Sequence, residues 1–196
     1  MSRSEALGDV REVTLSGGTI RYRERGSGPV VVFVHGVLVN GDLWRKVVPG
    51  LVAAGYRCIT PDWPFGAHEV PVPDADLTPP GAADLIADFL DALDLSDVTV
   101  VANDTGGGIT QILMTRRPER IGRVILTPSD SFERFFPPIL AYLPLVSRIP
   151  GAGMVLTTTL RIRPLQRLPI ALGWLTKRPL PREAVGAYAA PSRRTG

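Results

Sequence analysis

Val98-Thr-Val-Val-Ala-Asn-Asp104-Thr-Gly-Gly-Gly-Ile-Thr110 sets one aspartate between an apolar run and three glycines. Val98–Ala102 has the length and β-branched content of a strand covered on both faces. A helix is expected from about Gly106 to Arg117. The glycines remove the side chains that would clash in a tight strand-to-helix turn. A parallel sheet gathers its chemistry at the carboxyl ends of its strands, and Asp104 lies at such an end. The helix beyond offers free N–H groups and a positive field. Two competing readings exist. Asp104 is also suited to capping that helix. A phosphate loop is the other, but neither GxxxxGK(S/T) nor GxGxxG is present.

The neighbouring segments extend this pattern in both directions. Val13-Thr-Leu and Thr19-Ile-Arg-Tyr-Arg flank Gly17-Gly18 and read as a hairpin. Pro29–Val34 is a continuous apolar strand. Leu43–Ala54 has helical spacing and stops at Gly55. Tyr56–Thr60 is a strand ended by Pro61. Gly81–Leu93 is an amphipathic helix, and Arg123–Thr127 a further strand. Strand and helix thus alternate from residue 30 to 127, which predicts an α/β fold with a mostly parallel sheet behind an N-terminal hairpin. After Asp130 the texture changes to Pro, Leu and Arg without strand alternation. The expected organisation is a core over 1–130 and a helical lid over 131–196.

Composition narrows the function classes. The 196 residues include 44% apolar and 21% charged residues, ordinary for a globular chain. A single cysteine, Cys58, excludes a disulfide framework and a CxxC metal pattern. No metal or cofactor is expected. The first residues lack the apolar core of a signal peptide, so a cytoplasmic setting is expected. No run is long enough for a stable membrane insertion. The net charge of +3 is uneven: residues 131–196 hold 10 Lys/Arg against 2 Asp/Glu. These cations lack interleaved aromatic stacking residues, so no nucleic-acid partner is expected.

The corner matches the layout of a nucleophile elbow, G-x-S-x-G, written here as Ala102-Asn-Asp-Thr-Gly106. His35-Gly36 ends Val-Val-Phe-Val, Leu43-Trp44 follows, and Asp62-Trp-Pro-Phe-Gly66 comes after the next strand. In that order, over residues 10–130, these pieces resemble the α/β-hydrolases, specifically the aspartate-nucleophile branch of haloalkane dehalogenases and epoxide hydrolases. The resemblance implies that Asp104 is the nucleophile and that the N–H groups of Val37 and Thr105 form the oxyanion hole. His35 and Gly36 would support that loop, and Asp130 would be the acid of the triad. A turn residue is the other reading of Asp130.

Elementary chemistry agrees with an aspartate there. A carboxylate is ionised at pH 7 without help from a base. Its attack on an ester carbonyl would give an anhydride. Attack on an sp3 carbon bearing halide or epoxide oxygen gives a stable ester. The expected substrate is a small apolar molecule, with Phe132, Phe135, Phe136, Leu140 and Leu143 as an apolar wall.

The chain also departs from the family. Its two histidines, His35 and His68, both precede the elbow, so the base that hydrolyses the ester is missing. The fold's final strands are missing too, and a C-terminally truncated hydrolase with impaired turnover is the expectation. The positions that hold halide in dehalogenases are Thr105 and Val37, with Asn40 three residues late. Leu38 replaces the proline of the epoxide hydrolase HGxP motif. Epoxide hydrolases use two lid tyrosines to protonate the ring oxygen; the lid here contains two, Tyr142 and Tyr188, for which core packing is the other reading. The alternative function is a non-catalytic ligand-binding or interaction protein. An exposed lid would favour self-association.

Overall fold

The computed structural model describes residues 5–65, 67–131 and 181–189. The chain divides into two compact units, Ser4–Phe135 and Phe136–Gly196 with Met1–Arg3. In the second, the described element is a helix, Arg182–Ala189. Tyr142 and the proposed wall residues Phe132, Phe135, Phe136, Leu140 and Leu143 lie outside the described residues.

The first unit is built on six strands. They are β1 (Asp9–Leu15), β2 (Gly18–Arg25), β3 (Val30–Val34), β4 (Arg57–Pro61), β5 (Val98–Asp104) and β6 (Ile121–Ser129). Their order in the sheet is β1-β2-β4-β3-β5-β6. The β1–β2 hairpin is antiparallel and turns through Ser16-Gly17. β2 joins β4 antiparallel, and from β4 onward every pairing is parallel. The mostly parallel α/β sheet and its hairpin are therefore present.

The unbroken apolar runs are explained by coverage on both faces. Val32, Val34, Ile59, Val100 and Ala102 enter one core with Ile86, Leu90, Ile109 and Leu113. Their strand neighbours Val31, Phe33, Cys58 and Val101 enter a second core with Leu7, Trp44 and Val48. Cys58 is fully buried, and burial pushes its thiol up to about 11.

Helix α2 (Pro79–Ala92) begins at Thr78, whose side chain accepts the Gly81 N–H at 3.3 Å. Pro79 and Pro80 occupy the first turn, where an N–H has no helical partner anyway. Ala82, Leu85, Ile86, Phe89 and Leu90 form the buried stripe. Phe89 meets Tyr22 and Trp63 edge-on at 5.4 and 5.1 Å. Helix α3 (Thr105–Arg116) packs beside α2. Across their outer ends run exposed ion pairs: Arg116 to Asp84, Arg117 to Asp88 and Asp91, and Arg120 to Asp91 and Asp94.

Two local expectations shift. The helix expected over Leu43–Ala54 is split into a 3₁₀ turn, Gly41–Trp44, and a short helix α1, Val48–Ala53. Pro49 is the reason: with no N–H it is tolerated only in a first turn, so the α-helix restarts just before it. The strand expected over Arg123–Thr127 runs longer, as β6, and carries an irregularity. Ala102 pairs with Leu126, but Asp104 pairs with Ser129, so β6 has one extra residue there. Pro128 falls in this bulge, where a missing ladder donor does no harm.

Candidate active site

The end of β5 is where the described polar groups converge. Asp104 has φ 55° and ψ −135°, a conformation a non-glycine residue adopts at a cost of about 1–3 kcal/mol. Its side chain makes no N-cap hydrogen bond of the usual kind; the Thr105 N–H at the start of α3 is set against it instead. Gly106 lets the corner close: a Cβ there would lie 2.5 Å from the His35 carbonyl oxygen. The first turn of α3 therefore sits against the end of β3.

The loop after β3 lies against the carboxylate. A Cβ on Gly36 would lie 2.1 Å from Asp104 Oδ2. Only a residue without a side chain lets this backbone run past the acid group. His35 is fully buried and holds the loop from beneath. Its Nε2 accepts the Trp63 N–H at 3.0 Å. The proton is therefore on Nδ1, which donates to the Gly36 carbonyl at 2.8 Å. The Leu38 N–H donates to the Phe65 carbonyl at 3.0 Å. Buried Asn40 donates to the Ala67 carbonyl at 3.2 Å and accepts the Asp42 N–H at 3.1 Å. Buried Asp62 accepts the Gly41 N–H at 3.0 Å.

Asp130 sits beside the elbow. Its N–H donates to the Asp104 carbonyl at 3.3 Å, and Thr105 Oγ1 donates to its Oδ2 at 3.3 Å. Gln111 Nε2 donates to the Asp130 carbonyl at 2.9 Å. Asn103 turns away from the corner, donating to Thr127 Oγ1 and the Pro128 carbonyl.

Electrostatics follow from burial. Desolvation pushes the Asp104 carboxyl above the ordinary carboxylate value, opposed by the Thr105 N–H. Asp130 is also raised, by burial first and then by the negative charge of Asp104, while the Thr105 hydroxyl opposes. His68 is lowered by burial, and its Nδ1 is buried with no hydrogen-bond partner among the described residues.

The structure thus brings Asp104, Asp130, Thr105 and Gly36 together, with His35 beneath the loop. Val37 lies between Gly36 and the anchored Leu38. Tyr188 is half-buried in the other unit's helix. The sequence reading missed the bracing by Asn40, Asp62 and Phe65. The only signal for it was a cluster of polar residues in segments that otherwise read as loops. Among the described residues, no group of three or more His, Cys, Asp or Glu could hold a metal ion. No helix among them is long and apolar enough to cross a membrane.

Residues 29–152 match the family model described as alpha/beta hydrolase fold. A haloalkane dehalogenase of Mesorhizobium japonicum is 36% identical over 126 residues, covering 63% of this chain and 40% of the relative. An epoxide hydrolase of Caballeronia sordidicola is 34% identical over 126 residues, covering 62% of this chain and 38% of the relative. Among solved structures, the haloalkane dehalogenase DatA of Agrobacterium tumefaciens C58 superposes with a TM-score of 0.70 at 26% identity. That match covers 97% of this chain and 65% of the other. The chain spans about two fifths of the length of these curated relatives. A family match over most of the chain, on a sheet whose β5 ends in a strained, glycine-flanked corner, assigns this protein to the α/β-hydrolase fold family.

Proposed function

We propose that this chain carries the nucleophilic half of a hydrolase that attacks a small apolar substrate at an sp3 carbon. The observation that carries this reading is the Asp104 carboxylate, held at positive φ with the Gly36 backbone against it. Both the strain and the desolvation are costs, and neither an N-cap hydrogen bond of the usual kind nor packing accounts for them.

In the first step an Asp104 oxygen forms a bond to the carbon, and the carbon–halogen or carbon–oxygen bond breaks. A halide leaves as the anion. An epoxide oxygen stays on the product and takes a proton from water. The result is an alkyl ester on Asp104. In the second step water adds to the ester carbonyl. The N–H groups of Val37 and Thr105 are the donors for the oxyanion that forms.

That second step needs a group to take the proton from water. Both ring nitrogens of His35 are engaged within the loop. Burial keeps His68 neutral, but its Nδ1, where an acid would orient a catalytic imidazole, has no hydrogen-bond partner among the described residues. The ester on this 196-residue chain is therefore expected to persist. Asp130, beside Thr105, is the acid of the site and would orient a base placed against it.

Intact-mass measurement after incubation with a terminal epoxide tests the reading. One adduct per chain, on Asp104, is expected, with none on Asp104→Asn. Fast multiple turnover would defeat the persistent-ester argument. No adduct, together with ligand binding that ignores Asp104→Asn, would favour the non-catalytic binding protein instead.

A further inference from the structure

Four non-glycine residues among those described have positive φ: Leu38, Asp94, Asp97 and Asp104. Aspartate tolerates that region because its short side chain bonds locally, whereas leucine has no such compensation. Leu38 nevertheless stands at φ 63°.

Packing does not explain this. Leu38 is 38% exposed and belongs to neither buried core. Other exposed apolar residues, such as Val10, Val47, Leu77 and Ile125, are not at positive φ. The loop holds Leu38 in place from several sides. Its N–H is fixed to the Phe65 carbonyl, and Phe65 packs edge-on against His35 at 5.7 Å. His35 in turn holds Gly36. Two residues before Leu38, the chain touches the Asp104 carboxylate. Two peptide units span at most about 7 Å, so the Leu38 Cα lies within that distance of the Gly36 backbone that passes the carboxylate. An exposed apolar side chain kept at a strained φ, two residues along a loop that passes the carboxylate, matches a contact completed only when a ligand is bound.

We propose that Leu38 is the specificity-determining residue of this site, its side chain meeting the apolar substituent on the carbon that Asp104 attacks. The inference rests on Asp104 being the nucleophile. The substrate class it selects is a small electrophile bearing an alkyl chain, in preference to the shortest homologues.

The test is the rate of Asp104 adduct formation with 1,2-epoxyhexane and with propylene oxide, read by intact mass on the full chain. Wild type is expected to favour the longer epoxide. Leu38→Ala and Leu38→Gly are expected to lower that ratio about tenfold, the scale of a few methylenes in an apolar contact. Leu38→Met is expected to restore it. Val47→Ala, an exposed apolar site outside this loop, is the control that leaves the ratio unchanged. Thermal melting is followed in parallel. Leu38→Gly removes the backbone strain and is expected to melt no lower than wild type. Loss of chain-length preference in a protein that melts normally supports the proposal. A ratio unaltered in both Leu38→Ala and Leu38→Gly overturns it, whatever their melting points. If wild type forms no adduct at all, the nucleophile reading fails, and this inference fails with it.

Discussion

The elbow at Asp104 and the loop at 35–42 solve the same problem by different means. Each holds a non-glycine residue at positive φ, Asp104 in one and Leu38 in the other. At the elbow, glycine at 106 lets one backbone close directly on another. In the loop, buried side chains do the holding: His35, Asn40 and Asp62 each bond a backbone group distant from any regular ladder. The elbow is stiff because there is no room, and the loop because its polar groups are satisfied. Strain maintained by close contact is intolerant of added atoms. Strain maintained by hydrogen bonds is intolerant of lost ones.

The largest expected effect tests the first half of that statement. Gly106→Ala puts a methyl against a backbone carbonyl that cannot swing aside, and a loss of about 3 kcal/mol or more is expected in urea titration. Gly36→Ala makes a sharper probe, because its Cβ would press on the Asp104 side chain itself, from Cβ to Oδ2, and not on a backbone carbonyl. Adduct formation should fall at least tenfold while the fold persists by circular dichroism. An unchanged rate would mean that the loop does not hold the carboxylate.

The second half is tested by deletion. His35→Ala leaves the Trp63 N–H and the Gly36 carbonyl without their imidazole partner, a loss of about 2–3 kcal/mol in the same titration. A smaller effect would show water taking over, and the contrast between the two regions would weaken. At the low end, Arg117→Ala removes ion pairs to Asp88 and Asp91 on the outer face of α2. Those partners are half-exposed, so about 0.5 kcal/mol, decreasing with salt, is expected.

Asp104→Asn tests whether the elbow is built at a cost. The folded carboxyl is raised above 3.8 by desolvation. The protonated form is thus favoured by folding, and that stability is lost as pH rises through the folded value. Asparagine avoids the penalty. The variant should melt higher than wild type at pH 7, and the difference should close below about pH 3.8. A lower melting point at pH 7 would show that the charge stabilises the fold.

Legibility in the sequence follows the same division. The strands β3 to β5 and helix α2 were readable because burial on both faces, or on one stripe, leaves a periodic trace in the residues themselves. The elbow was readable because close approach demands glycine at fixed offsets from Asp104. The break between the 3₁₀ turn and α1 was hidden, since helical spacing over Leu43–Ala54 survives Pro49 in a first turn. The extra residue in β6 depends on pairing with β5, which no local pattern records. The bracing of the loop joins His35 to Trp63, and Asn40 to Ala67, across about 27 residues. Such bonds are set by tertiary position, and polar residues in a loop look alike whether or not they are buried.

Cys58 lies deep in the second core, with its thiol displaced far toward the neutral form. Sulfur is ordinarily the first atom of a protein that an electrophile finds, and here it is withdrawn from the competition. With Asp104 as the proposed nucleophile, an electrophile reaching the folded chain would meet no thiolate rival to it. Under the proposed function, chemoselectivity would come as much from the burial of Cys58 as from the placement of Asp104.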